Sequence, residues 1–269
     1  MWVFCCGMKR SGSTLQYNIV KNMVETLGIG IGVGYVEAHS FASLMQEYKD
    51  DGKFLIVKSH TFIAEYPMLY QHRHALAIFS YRDIRDVTLS LMRKYSKPFY
   101  KILLNGELPE IIEDDYLWSN VDGTRRSRYE RFVSDLEEEI IGIARHLNIK
   151  IDNKLVNQII QNTNVEAQKG RVAGFDWQKA VRYSDEITYM PDTLLHSNHF
   201  QSGKVAEWKI AFSPLQILAI ELITHNWLER NGYEISHPQT VYFLENLGKW
   251  VSLFTIQSKN KRDQRRLGL

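Results

Sequence analysis

Gly7-Met8-Lys9-Arg10-Ser11-Gly12-Ser13-Thr14, residues 7–14, keeps both glycines and the closing threonine of a nucleotide-binding P-loop, G-x-x-x-x-G-K-[ST], but not its lysine. Ser13 stands at the lysine position, and the strong cation lies three residues earlier, at Arg10. Ahead of the loop, Trp2-Val3-Phe4-Cys5-Cys6 is a short apolar run rich in strand-favouring residues. Behind it, Leu15, Ile19, Met23 and Leu27 recur every four residues, the period of an amphipathic helix. Strand, glycine turn and helix N-terminus together aim backbone N–H groups and the positive end of the helix dipole at an anion. A loop that can cradle phosphates but relocates its cation suggests transfer of a different group. An ordinary polar turn uses the same small residues, so the rest of the chain must decide between the two.

Outward from this unit, strand and helix patterns alternate. Ser43 to Lys49 reads as helix, and Phe54-Leu55-Ile56-Val57 as a short strand ending at Lys58-Ser59-His60. Ala75 to Tyr81 is a further strand, leading into Arg82 and a helix over roughly residues 84–95. The alternation predicts an α/β fold with a central, mostly parallel sheet flanked by helices, whose ligands bind beyond the carboxyl ends of the strands. Gly28, Gly30, Gly32 and Gly34 match no dinucleotide fingerprint and read as a turn or a flexible strand. The C-terminal half is mainly helical: Glu137 to Leu147, Leu155 to Ile160, and a helix capped by Ser213-Pro214 and running through Leu228. Residues 96–123 and 168–202 carry no clear period and read as long loops of the kind that line binding sites. A single domain over residues 1–256 with a basic tail, 257–269, is expected.

The chain of 269 residues is 44% hydrophobic and 24% charged, the composition of an ordinary globular protein, with a net charge of +2, too small to argue for nucleic acid. The last eleven residues carry +4 through Lys259, Lys261, Arg262, Arg265 and Arg266 against Asp263. A solvated terminus is the plain reading of that tail, and a touch on an anionic surface the functional one. No apolar stretch reaches the ~18 residues of a membrane span, and the opening residues resemble no signal peptide. Cys5 and Cys6 are adjacent in a strand, so their side chains point to opposite faces and neither a disulfide nor a metal site is expected. A reducing, cytoplasmic setting fits.

A second segment, Tyr81 to Ser90, brings an arginine off the end of a strand and a serine two helical turns later. Arg82 offers a bidentate fork and Ser90 a hydroxyl, both suited to one anion. A surface ion pair at a helix start, with Asp83 and Asp86 favoured by the dipole, is the bland alternative.

Taken together the segments resemble the sulfotransferases that use 3′-phosphoadenosine 5′-phosphosulfate (PAPS). The family's 5′-phosphosulfate loop, P-[KR]-S-G-[ST]-T, is matched by Lys9 to Thr14 except at the proline. Its 3′-phosphate motif, an arginine at a strand end with a serine eight residues on, is similar to Arg82 and Ser90. A third motif, [RK]-x-G-x-x-G-x-W-[KR], resembles Gln201 to Lys209, with Gln201 and Ala206 departing from it. The resemblance spans residues 2–209 in the family's order, and implies a P-loop-like sulfotransferase fold with PAPS as co-substrate and no metal. Arg10, Ser11, Gly12, Ser13, Thr14, Arg82, Ser90, Ser202, Gly203 and Lys204 would hold the donor, and Tyr129 of Arg128-Tyr129-Glu130 would lie near the adenine. Lys58-Ser59-His60 resembles the family's K-[TS]-H segment, which implies His60 as general base with Lys58 and Arg10 stabilising the leaving group. Nothing after Lys209 matches the family's dimer motif, and no oligomer is implied.

The implied reaction is sulfuryl transfer to a hydroxyl or amine of a small-molecule, lipid or carbohydrate acceptor. A P-loop kinase or NTPase is the rival, and would need a lysine at position 13 and an acidic magnesium ligand at a strand end. A degenerate sulfotransferase that senses PAPS or its desulfated product, 3′-phosphoadenosine 5′-phosphate (PAP), is a third reading. Tyr95, Phe99, Tyr100, Trp118 and Trp177 are the candidate walls of the acceptor pocket.

Overall fold

The computed structural model describes residues 1–48, 52–182, 188–196 and 203–246. Gln201, Ser202, the boundary near residue 256 and the basic tail lie outside the described residues. In chain order the elements are β1 (Trp2–Gly7), α1 (Ser13–Thr26), β2 (Gly30–Tyr35), α2 (Phe41–Glu47), β3 (Phe54–Ser59), α3 (Tyr66–Gln71), β4 (Ala75–Tyr81) and α4 (Ile84–Tyr95). Then follow α5 (Phe99–Leu104), α6 (Glu107–Ser119), β5 (Thr124–Arg128), α7 (Tyr129–Ser134), α8 (Leu136–His146), α9 (Asn153–Thr163) and α10 (Val165–Ala173). A short antiparallel pair, β6 (Val181–Arg182) and β7 (Thr188–Tyr189), precedes α11 (Trp208–Ala211) and α12 (Pro214–Arg230).

The five larger strands form one parallel sheet in the order β2-β3-β1-β4-β5. β1 is central and buried on both faces, which explains why Cys5 and Cys6 both lie inside although they point opposite ways. On the Cys5 face, Val3, Ile56 and Ile78 pack with Ile19 and Met23 of α1, Ile140 and Ile143 of α8, and Ile159 of α9. The opposite face is aromatic: the Phe4 ring lies 5.0 Å from Phe41 of α2, 5.4 Å from Tyr66 of α3 and 6.0 Å from Trp118 of α6. Each such side chain contributes about 1.5–3 kcal/mol through burial.

Because β1 leads to β2 two places away while β4 lies at its other edge, the direction of winding reverses around β1. A crevice opens there at the carboxyl end of the sheet. The register puts Cys6 beside Ser59 and Gly7 beside Ser80, so the segments leaving β1, β3 and β4 emerge together.

Several expectations are corrected in detail. Residues 96–123 are largely helical, forming α5 and α6. The acids Glu110, Glu113 and Asp114 interleave with a buried stripe of Leu108, Ile111, Asp115 and Trp118 and obscure it. Trp118 is a fully buried core residue and no pocket wall. The glycine-rich stretch, read as a turn or a flexible strand, is from Gly30 onward the edge strand β2, as that reading allowed, bulged between Gly32 and Gly34. A Cβ on Gly30 would come within 2.6 Å of the Phe54 carbonyl, so the close pairing of β2 with β3 requires glycine there. Leu27 lies beyond α1 and is exposed.

By its contacts the chain divides into two compact units. One comprises Met1–Arg82 with Asp86–Glu207, the other Asp83–Arg85 with the chain from Trp208 onward. In the second, α12 starts with a full capping box between Ser213 and Gln216 and has Pro214 in its first turn, as the sequence predicts. Among the described residues, no helix is long and apolar enough to cross a membrane.

Candidate active site

At the carboxyl end of the sheet lies a cavity of about 340 Å³, all of whose lining residues belong to the larger unit. Its floor is the loop from Gly7 to Thr14. A Cβ on Gly7 would lie 2.1 Å from the Ser80 hydroxyl, so glycine is what lets β1 end against β4. Gly12 caps α1 with φ +86°, and a Cβ there would lie 2.9 Å from the Tyr129 ring. Arg10 also has a positive φ, +67°, a conformation that costs a residue with a Cβ roughly 1–2 kcal/mol.

Ser11 does not face the cavity. It is fully buried, its hydroxyl 2.7 Å from the Met8 carbonyl and 2.9 Å from that of Ser80, so it braces the loop. Ser13 and Thr14 do line the cavity at the N-terminus of α1, whose first turn carries no acid. The open amide end of the helix faces the space the resemblance assigns to an anion.

Two further side chains reach the cavity from the end of β3 and the residue after it. His60 Nδ1 lies 2.8 Å from the Gly7 carbonyl, which can only accept, so Nδ1 carries the proton. In the neutral ring Nε2 then holds the free lone pair, and Lys58 Nζ lies 3.1 Å from it. Burial, then the charges of Lys58 and Lys94, hold His60 well below the usual histidine range. Burial, then Lys94, push Lys58 down to about 7. Arg10 donates from Nε to the Ser90 hydroxyl at 2.8 Å. Burial and the charge of Arg82 lower Arg10 to about 10.

Arg82 lies farther along the cavity. Its guanidinium donates to the Lys204 carbonyl at 2.7 Å, sits 3.5 Å from the Asp86 carboxylate and stacks 4.3 Å from the Tyr129 ring centre. Its Nε is buried without a hydrogen-bond partner. The Tyr129 hydroxyl donates to the Gly203 carbonyl at 3.2 Å. Asp86 accepts from the Ala206 N–H at 2.8 Å, and Arg93 grips Glu207 with two bonds of 2.8 and 2.9 Å. The segment from Gly203 to Glu207 is thus fastened to α4. Ala206 has φ +57°, the left-handed conformation a glycine would take.

The structure therefore gathers Arg10, Gly12, Ser13, Thr14, Lys58, His60, Arg82, Ser90, Tyr129 and Gly203 around one cavity. It pairs Ser90 with Arg10 and not with Arg82. Lys204 supplies its carbonyl to Arg82, and its ammonium is not among the lining groups. Of the expected acceptor walls only Tyr95 lines the cavity, while Tyr100 and Trp177 are exposed at the surface. Tyr35, Lys94, Tyr189 and His196 line it unforeseen. Lys94 was legible as the residue one turn beyond Ser90 on the same helix face. His196 and Tyr189 fall in a stretch without periodicity. Among the described residues no three His, Cys, Asp or Glu side chains gather to hold a metal.

Residues 127–232 match the family model of a sulfotransferase domain. Mouse sulfotransferase 1E1 is 22% identical over 187 residues, which cover 62% of this chain, and the chain spans 60% of that relative's length. The fold is similar to that of mouse sulfotransferase SULT7A1 complexed with PAP, with a TM-score of 0.62, 14% identity and coverage of 93% of this chain and 88% of that one. It is also similar to retinol dehydratase in complex with androsterone and PAP, with a TM-score of 0.56, 16% identity and coverage of 84% and 80%. These matches bear out the resemblance to sulfotransferases and the P-loop-like parallel fold read from the motifs.

Proposed function

We propose that this chain transfers a sulfuryl group from PAPS to a hydroxyl or amine acceptor, with His60 as the general base. The observation that carries the reading is the Gly7–His60–Lys58 array at the mouth of the phosphate loop. The Gly7 carbonyl holds the imidazole in the tautomer whose Nε2 can take a proton, and burial keeps that ring neutral near pH 7.

The cavity suits a donor charged at both ends. Arg10, Ser13, Thr14 and the N-terminus of α1 would hold the 5′ end, with Lys58 beside it. Arg82, whose buried Nε lacks a partner, would hold the 3′-phosphate with the amide-bearing segment at Gly203. Gly12 leaves room for the Tyr129 ring, which would lie near the adenine. When bound, PAPS supplies the sulfuryl group on a phosphate leaving group. Lys58 and Arg10 then oppose the negative charge that develops there, and His60 Nε2 accepts the acceptor's proton.

The magnesium-nucleotide reading is less well supported. Of the acids leading from β4 into α4, Asp83 binds Arg85 and Trp208, while Asp86 binds Arg82 and the Ala206 amide. Thermal unfolding separates the readings: PAP stabilises the chain and Mg·ATP does not, a gain of about 2.7 kcal/mol being expected at a hundredfold excess over Kd. Arg82→Ala weakens PAP binding at least tenfold, whereas His60→Ala keeps it and loses about 10²–10³ in kcat. Stabilisation by Mg·ATP alone, or the reverse pattern in the two variants, overturns the assignment. PAP binding without transfer to a broad acceptor panel points instead to a sensor.

A further inference from the structure

Resting on the reading of Lys58 as a cation beside the donor, we propose that Tyr35 is a positioning residue, the face of its ring holding the Lys58 ammonium beside His60 and favouring its charged form. The placement depends on the bulge in β2. Up to the bulge the strand runs in register with β3, with Gly30 opposite Phe54, Ile31 opposite Leu55 and Gly32 opposite Ile56. Continued without interruption, that register would set Gly34 opposite Lys58. One extra residue at the bulge advances the strand, so that Gly34 stands opposite Val57 and Tyr35 opposite Lys58. Gly34 takes φ +118°, which a residue with a Cβ rarely adopts, and glycine there allows the shift. Directly beyond, the Val36 N–H donates to the Lys58 carbonyl at 2.8 Å and pins the two strands at this point.

The Lys58 Nζ lies over the Tyr35 ring, 5.1 Å from its centre, and the same ring lies 6.1 Å from that of His60. All three residues line the cavity. The face of an aromatic ring is negative, and its attraction for an ammonium grows as water is removed. Lys58 is 4% exposed, so the contact is made in a nearly dry place.

Around Lys58 stand Arg10 of the phosphate loop and Lys94 of α4, both cations, and Cys5 and Cys6 of β1, whose thiols burial holds neutral. His60 and His196 are held below the usual histidine range and are neutral as well. Of the acids that line the cavity, Asp86 and Glu207 hold Arg82 and Arg93, and Glu37 lies two residues beyond Tyr35. The two cations oppose the ammonium, and the ring face of Tyr35 offsets them.

The test measures PAP affinity by titration calorimetry on the full chain between pH 6 and 10. Bound phosphate favours the ammonium, so affinity begins to fall where the unliganded Lys58 loses its proton. Tyr35→Leu is expected to bring that fall about 0.5–1 pH unit lower, a roughly three- to tenfold loss of affinity above it, while Tyr35→Phe, which keeps the ring face, leaves it in place. Should the leucine variant not fold, Tyr35→Phe carrying added ring fluorines, close in shape but with a weaker face, brings the fall lower with each fluorine. If the fall stays put in Tyr35→Leu, even with a loss of thermal stability, Tyr35 only packs and the inference is overturned. It is overturned too if Tyr35→Phe, or Glu37→Gln, moves the fall as far as Tyr35→Leu does; in each of these cases PAP still binds and the donor reading stands. If the unaltered chain binds no PAP at any pH, the donor reading itself has failed, and the inference falls with it.

Discussion

His60 and Lys58 share one lone pair between two basic groups, and their opposite needs set a pH dependence. In the proposed role His60 works as neutral imidazole, and burial with the charge of Lys58 keeps it neutral below the histidine value of about 6.5. Lys58, in the proposed role, opposes developing negative charge as a cation, a charge the unliganded protein loses above a pH of about 7. kcat/KM for the donor is therefore expected to hold from below pH 6.5 up to about pH 7 and to fall above it. An anion bound beside Lys58 favours the ammonium, so the fall in kcat at saturating donor moves to higher pH. Rate profiles from pH 5 to 10 check this, and alkaline limbs that coincide in kcat and kcat/KM contradict it. Arg10 and Ser11 divide the loop's work differently from the motif's plain reading. Arg10 faces the cavity and carries the backbone strain, while Ser11 spends its hydroxyl on the loop itself.

The element most exposed to test is the segment from Gly203 to Glu207. Its motif has glycine where this chain has Ala206, yet the backbone there is left-handed all the same, held by the bond from the Ala206 amide to Asp86. Ala206→Gly is expected to raise stability by about 0.5–1 kcal/mol, the relief of left-handed strain less the greater freedom of glycine in the unfolded chain. Urea unfolding measures it, and a loss of stability would count against that conformation. Elements with a clean period were legible in the sequence: β1, α1, β3, β4, α4 and α12 stand close to where periodicity and capping put them. α5 and α6 were not: the acids Glu110, Glu113 and Asp114 break up the stripe of α6, which only the packing of Trp118 against Phe4 and Tyr66 reveals.

Over the whole molecule, stability depends on buried charges that no motif announces. In the smaller unit, Arg85 binds Asp83 twice, donates to Glu221 at 2.6 Å and stacks 3.8 Å from the Trp208 ring centre, all in the interior. Arg85→Ala is expected to cost about 3–5 kcal/mol, because it leaves two buried carboxylates without their partner. Chemical denaturation at neutral pH checks this, and a loss below about 1 kcal/mol would show the pair to be solvated. Sequence alone was enough for the parallel α/β architecture, the glycine loop between β1 and α1, Arg82 at a strand end and the Lys58–His60 pair, because strand period, helix caps and motif spacing are local properties of the chain. The partners were decided by tertiary structure: Ser90 with Arg10, Arg82 with the Lys204 carbonyl, and His60 with Gly7. Those pairs join residues 53 to 122 positions apart. Only the packing of the sheet and its helices brings such groups within hydrogen-bond or Coulomb range, and no local pattern records which of them will meet.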